Sequence, residues 1–209
     1  MTARETVLGR VRDALEIAPQ PTVTVERAYL RDRVLPDGER LALFTDRLVD
    51  HGARVHACTA AGTAATLAEV LDGLGAHRIG VPAGLEPSWL ADWDGTAEED
   101  GADVPVARLE SLDAVVTASA AGCAETGTVF LDGSAGQGRR ALSLVPDVHV
   151  CVVELSSVAA GVPEALARLV PERPTTLISG PSATSDIELE RVEGVHGPRT
   201  LVVVVRTDV

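Results

Sequence analysis

Apolar residues at Val7, Leu8, Val11, Ala14 and Leu15 recur at helical spacing and predict a helix over 5–17, ended by Pro19 and Pro21. The stretch 20–36 is polar and irregular. Residues 1–35 therefore read as an N-terminal helical appendage, and 36–209 as the main α/β domain. Leu41, Phe44, Leu48 and Val49 form one face of a predicted helix over 38–51, with Gly52 placed to end it. A strand over 54–59 follows, then a helix over 63–74 closed by Gly75, then a strand over 77–81 stopped by Pro82. This alternation predicts right-handed crossovers and a mostly parallel sheet flanked by helices. Between 83 and 106 the rhythm breaks, and a short helix near 87–93 with an exposed acidic loop is expected. Further strands are predicted over 114–118, 129–131, 146–155, 174–178 and 200–206, with a helix over 162–170.

Composition narrows what such a domain can do. Aromatics are 2% of the 209 residues against 45% hydrophobic, so the core must be built from Val, Leu and Ala, as a buried parallel sheet allows. The formal charge of −13 comes without a cluster of Arg, which argues against nucleic acid as a partner. There is no Lys; all 18 basic residues are Arg, so Schiff-base chemistry, a P-loop Lys and a Lys general base are excluded. Cys58, Cys123 and Cys151 are sparse, odd in number and without a CxxC pair. That pattern favours reduced thiols in the cytoplasm and offers neither a zinc nor an iron–sulfur ligand set. His51, His56, His77 and His149 share no metal spacing, and the acids Asp92 to Asp103 lack the alternation of a calcium loop, so no metal site is expected. No signal-peptide block and no 18-residue apolar run occur.

Two stretches are dense in Gly, Pro and hydroxyls. One is 179–198, SGPSATSDIELERVEGVHGP, where Ser185 and Glu188 have capping-box spacing and predict a short helix. The other is the turn Glu125-Thr126-Gly127-Thr128. If both lie beyond the carboxyl ends of neighbouring parallel strands, they converge on one site. Its ligand-binding candidates are Thr126, Gly127, Thr128, Gly180, Pro181, Ser182, Thr184, His196 and Gly197, with Arg139 or Arg140 supplying positive charge. Glu125 and Asp186 are the carboxylates inside these motifs, hence the candidate catalytic acid and base. Simple turn and capping chemistry competes with this reading at every one of these positions. Cys123 reads as a small buried hydrophobe, and the Gly-rich DGSAGQG turn, which lacks the P-loop GK[ST], as a flexible surface turn.

The strings AETGTVFLDG, RRALSLVPDVHVCVVELSSV and LISGPSATSDIELERVEGVHGPRTLVVVVRTD together resemble the LutC/YkgG family, the LUD domain. The likeness is close over the C-terminal half and limited to α/β rhythm before it. It implies a fold like the NagB/RpiA/CoA-transferase group, related in shape to 5-formyltetrahydrofolate cyclo-ligase. It also implies a part in L-lactate utilisation, beside two iron–sulfur oxidoreductase proteins that take lactate to pyruvate. This chain would then be the non-cluster component, binding a small anionic metabolite and no cofactor of its own. Two other readings stand: a separate enzyme of this fold acting on an acyl or phosphorylated substrate through Glu125 or Asp186, and a metabolite sensor. Sugar-phosphate isomerases of the fold group use a Lys, so their mechanism is not carried over.

Overall fold

The structure is a computed structural model that describes residues 2–18, 24–28, 33–184, 192–194 and 196–209. The chain divides into two compact units, Met1–Leu30 and Arg31–Val209. The first holds helix α1, Ala3–Ile17, started by a capping box in which Thr2 Oγ1 accepts from Glu5 N and Glu5 accepts from Thr2 N.

The second unit runs α2 (Asp37–Asp50), β1 (Arg54–Cys58), α3 (Thr63–Gly73), β2 (Arg78–Pro82), β3 (Thr96–Asp100), α4 (Val106–Leu109) and β4 (Ala114–Ala118). It continues with β5 (Ala121–Cys123), β6 (Thr128–Leu131), α5 (Arg140–Leu144), β7 (Val148–Glu154), β8 (Val158–Ala159) and α6 (Val162–Leu166). The last described elements are β9 (Thr176–Ile178), β10 (Ala183–Thr184), β11 (Val192–Glu193) and β12 (Thr200–Arg206). Six strands form a wholly parallel sheet in the order β1-β12-β7-β4-β2-β3. A second, four-stranded sheet has the order β8-β5-β6-β9, and β10 pairs antiparallel with β11.

The strand period of two sorts the apolar residues onto two faces. Val150, Val152, Val202 and Val204 pack with Leu67, Val70 and Leu71 of α3. Cys151, Val153, Val203 and Val205 pack with Phe44 and Leu48 of α2 and with Val129 and Leu131 of the second sheet. A fully buried Val contributes about 1.5–3 kcal/mol relative to an exposed one, and the buried Val of β7 and β12 lie in both clusters. The expected parallel sheet with flanking helices is present. The second sheet, which covers part of one face where helices alone were expected, is additional.

Three local expectations change. The acidic stretch is partly a strand: β3 is the edge of the large sheet, and its charges are compensated. Arg78 donates to Glu98 at 2.8 and 3.0 Å and Arg108 adds two bonds of 3.0 Å; these partners, Arg78 first, hold the Glu98 carboxyl below its ordinary range. Asp100 is buried and accepts three hydrogen bonds from Arg139. A charged edge strand also resists pairing with other chains. The DGSAGQG turn is braced, because the buried Gln137 accepts from Asp132 N at 2.6 Å and from Gly133 N at 3.1 Å. Helix α6 ends at Leu166, short of the predicted 170. The helix predicted from Ser185 lies outside the described residues.

Candidate functional site

The two Gly- and hydroxyl-rich stretches do meet, by a route the parallel sheet does not supply. β6 and β9 pair antiparallel with Val129 opposite Ile178, which sets Thr128 beside Ser179. Their hydroxyl oxygens lie 2.7 Å apart, and Thr126 Oγ1 lies 2.7 Å from Thr128 Oγ1, giving a three-hydroxyl chain. Both turns rest on the end of α2. Gly127 has φ +57 and a Cβ there would stand 2.7 Å from Arg47 Cβ; Gly180 has φ +114 and a Cβ would stand 2.6 Å from the His51 carbonyl oxygen. Nearby, His51 Nε2 donates to Thr126 O at 3.2 Å, and Pro181 packs over Gly52.

Beyond Ser179 the chain is stitched to the segment that precedes β12. Ser182 N donates to Pro198 O at 2.8 Å, Gly194 N to Ser182 O at 2.9 Å, and His196 N to Ser182 Oγ at 3.0 Å. Ser182 Oγ accepts from the backbone, and no acceptor for its own proton is placed among the described residues. Gly197 sits against Ser182 and Leu144. These segments wall a cavity of about 240 Å³, completed by Ser143 and Leu144 of α5 and floored by His149 and Leu201. His149 and Leu201 are each the second residue of their strand, so the cavity lies at the amino ends of β7 and β12 and not beyond carboxyl ends. At the carboxyl ends there is a separate crevice of about 530 Å³, where Arg206 is held by Glu154 at 3.2 Å and stacks over Trp89 at 5.3 Å.

The other sequence candidates distribute around this cavity. Glu125 is exposed, faces Arg33 at 3.4 Å and is not among the lining residues. Thr126, Gly127 and Thr128 stand behind Ser179 and brace it. Thr184 lies in β10 opposite Val192, and Asp186 falls outside the described residues. Arg139 is engaged by Asp100 and by Val104 O. Arg140 is exposed and has no ion pair among the described residues; it lines a groove that shares Ser143 and Thr176 with the cavity. No group of three or more His, Cys, Asp or Glu among the described residues is placed to hold a metal.

His149 was passed over by metal-spacing arguments, yet it is the polar group in the cavity floor. It is fully buried, and its Nε2 lies 2.8 Å from Thr117 Oγ1. Thr117 donates onward to Cys151 Sγ at 3.7 Å, and Cys151 to Ala118 O at 3.8 Å. Nδ1 is buried with no hydrogen-bond partner among the described residues. Such a group costs about 1–3 kcal/mol. Burial pushes the imidazole pKa down to about 4 and, partly offset by the Thr117 bond, the Cys151 thiol up to about 12. The available signal was a single His on the inward-facing parity of an otherwise apolar strand, VHVCVVE.

A family model described as LUD domain matches residues 41–205. Lactate utilization protein C of Deinococcus radiodurans is 47% identical over 176 residues, covering 82% of this chain and 81% of that protein. Lactate utilization protein C of Shouchella clausii is 33% identical over 129 residues, 58% of this chain and 54% of that one. The crystal structure of a DUF162 family protein from Deinococcus radiodurans superposes with a TM-score of 0.69 at 36% identity, covering 83% of this chain and 99% of that chain.

Proposed function

The chain belongs to the LUD domain family, and on that premise we propose that it works in lactate utilisation as a protein that binds a small carboxylate. The observation that carries this reading is the cavity between Ser179–Ser182 and His196–Pro198, with Arg140, which has no ion pair among the described residues, in the adjoining groove. At about 240 Å³ it falls below the range typical of drug-sized ligands and suits a metabolite of a few carbons better than a CoA ester. Ser182 offers a hydroxyl proton and Arg140 a positive charge, which together fit a carboxylate.

Oxidation of lactate to pyruvate releases two electrons, which need a carrier. This chain has three cysteines, one fewer than a Cys₄ cluster set, and Cys123 and Cys151 are fully buried in different core clusters. The resemblance to the LutC/YkgG family implies iron–sulfur partner proteins for the electron-carrying role, and on our reading this chain is the non-cluster component that holds the organic acid. Its free thiols favour the cytoplasm. No described helix is long and apolar enough to cross a membrane.

Isothermal titration of the purified chain with L-lactate, pyruvate, phosphate and acetyl-CoA tests the reading. Lactate or pyruvate should bind, and Ser182→Ala should weaken that binding roughly three- to tenfold, the worth of one hydrogen bond. Arg140→Gln should weaken it further. Binding of acetyl-CoA or phosphate with no response to either acid would instead favour a separate enzyme on acyl or phosphorylated substrates. Loss of lactate-dependent dye reduction on deleting this chain, with the iron–sulfur proteins still present, tests its place in the larger system.

A further inference from the structure

We infer that the open edge of β9 is a dimer surface, along which a second copy of this chain lays its own β9 antiparallel, about a two-fold axis at Leu177.

The two larger sheets have four edges, and three of them are guarded. β1 presents Arg54 and His56, and β3 presents Glu98 and Glu99. β8 is two residues long, and both are buried. Charge and short length are the usual means of keeping an edge from pairing with other chains. β9 has no such guard. Thr175, Thr176, Leu177, Ile178 and Ser179 are all uncharged, and among the described residues no strand lies on the far side of β9 from β6.

The backbone of Leu177 is turned to that open side. Phe130 gives its carbonyl to Ala120 N at 2.8 Å, on the β5 side of β6. The N–H and C=O of one strand residue point the same way, so Phe130 does not bond Leu177, the residue opposite it on β9. The N–H and C=O of Leu177 therefore point outward from the edge, and alternation gives Thr175 and Ser179 the same direction. The Leu177 side chain lies on the same face as the buried Phe130. Helix α6 packs on that sheet at β5 and β8, and Leu177 is left 59% exposed.

A second copy meets these conditions. Two-fold pairing sets Leu177 against its counterpart with two backbone hydrogen bonds between them, and Thr175 opposite Ser179 on either side. The two leucines then share a face and cover one another. A chain of net charge −13 can pair with itself only where acids do not meet acids, and this edge is uncharged. The same pairing at β1 or β3 would bring like charges together. Five residues of strand cover less than the roughly 1,200 Å² of a stable interface, so the dimer should be weak, with a Kd on the order of 10 µM. Thr176, Leu177 and Ile178 also line the cavity, so the cavity of each copy adjoins the shared edge.

The test is sedimentation equilibrium of the full chain from about 1 to 300 µM, a range that brackets such a Kd. Wild type should pass from the monomer mass toward twice that mass. Leu177→Glu sets two carboxylates face to face and should stay monomeric throughout, with little change in Tm because the side chain is exposed. A second measurement reads the register. Paired residues of this kind have Cα atoms about 5.5 Å apart, within disulfide reach. Under mild oxidation Leu177→Cys should therefore crosslink several-fold faster than Leu166→Cys, which starts from a similarly exposed residue on α6. A wild type that stays monomeric across the range overturns the dimer. A dimer that persists in Leu177→Glu, or equal crosslinking of the two cysteine variants, overturns its placement on β9.

Discussion

Gly180→Ala should lower stability by about 2–6 kcal/mol, a fall of roughly 5–20 °C in Tm, and abolish the proposed carboxylate binding. Two separate terms make up that figure. At φ +114 an L side chain is strained, at a cost of about 1–3 kcal/mol. The new Cβ would also stand 2.6 Å from the His51 carbonyl oxygen and 2.8 Å from its Cβ. The carbonyl belongs to the backbone at the end of α2 and cannot rotate aside, so the loop itself must shift, adding about 1–3 kcal/mol. That shift moves Ser179 and Ser182, which wall the cavity. Gly127→Ala meets the same helix through Arg47 and Leu48 and should behave alike. The control is Gly133→Ala: its φ is +71, but nothing lies within 4 Å of the added carbon. Strain alone then leaves a loss of about 1–2 kcal/mol and binding unchanged. Thermal unfolding with titration of each variant gives the comparison. A Gly180→Ala no less stable than Gly133→Ala would show that the loop does not depend on its seat on α2.

These glycines show what could be read from the chain and what could not. Backbone punctuation is local, so Gly127, Gly180 and the hydroxyls around them stood out at once as two built turns. The near-continuous apolar runs of β7 and β12 likewise announced a sheet buried on both faces. The partners of the turns are not local. Residues 127 and 180 lie far in sequence from Arg47 and His51, and the antiparallel pairing of Thr128 with Ser179 depends on a second sheet whose strands run from two to four residues. Strands that short carry too few alternations to register as a period. β3 was hidden for another reason: TAEED has the composition of a solvated loop, and only Arg78, Arg108 and Arg139, brought in from three other places, make its charges tolerable in a sheet edge. Glu125 was singled out by its place in a turn, but the turn directs it toward Arg33 and away from the cavity floor.

His149 carries the other large expected effect, on the acid side of neutrality. Its folded pKa of about 4 lies below the ordinary value of 6.5 because burial penalises the charged ring. Above pH 7 neither folded nor unfolded chain binds this proton, and stability is unaffected. As pH falls through 6.5 the unfolded chain takes up the proton while the folded chain does not, so stability drops by about 1.4 kcal/mol per unit. The drop continues until about pH 4 and totals on the order of 3 kcal/mol. Glu98 and Asp113, whose pKa values are lowered in the fold, add their own losses only as pH approaches their ordinary values of 4.5 and 3.8. Between pH 6.5 and 5 the slope therefore belongs chiefly to His149. Urea unfolding at pH 7.5, 6.5, 5.5 and 5.0 should show wild type losing stability across this window, and His149→Gln, which cannot titrate, losing much less. Parallel slopes would mean that the ring takes up its proton inside the fold, and so that it is not sealed.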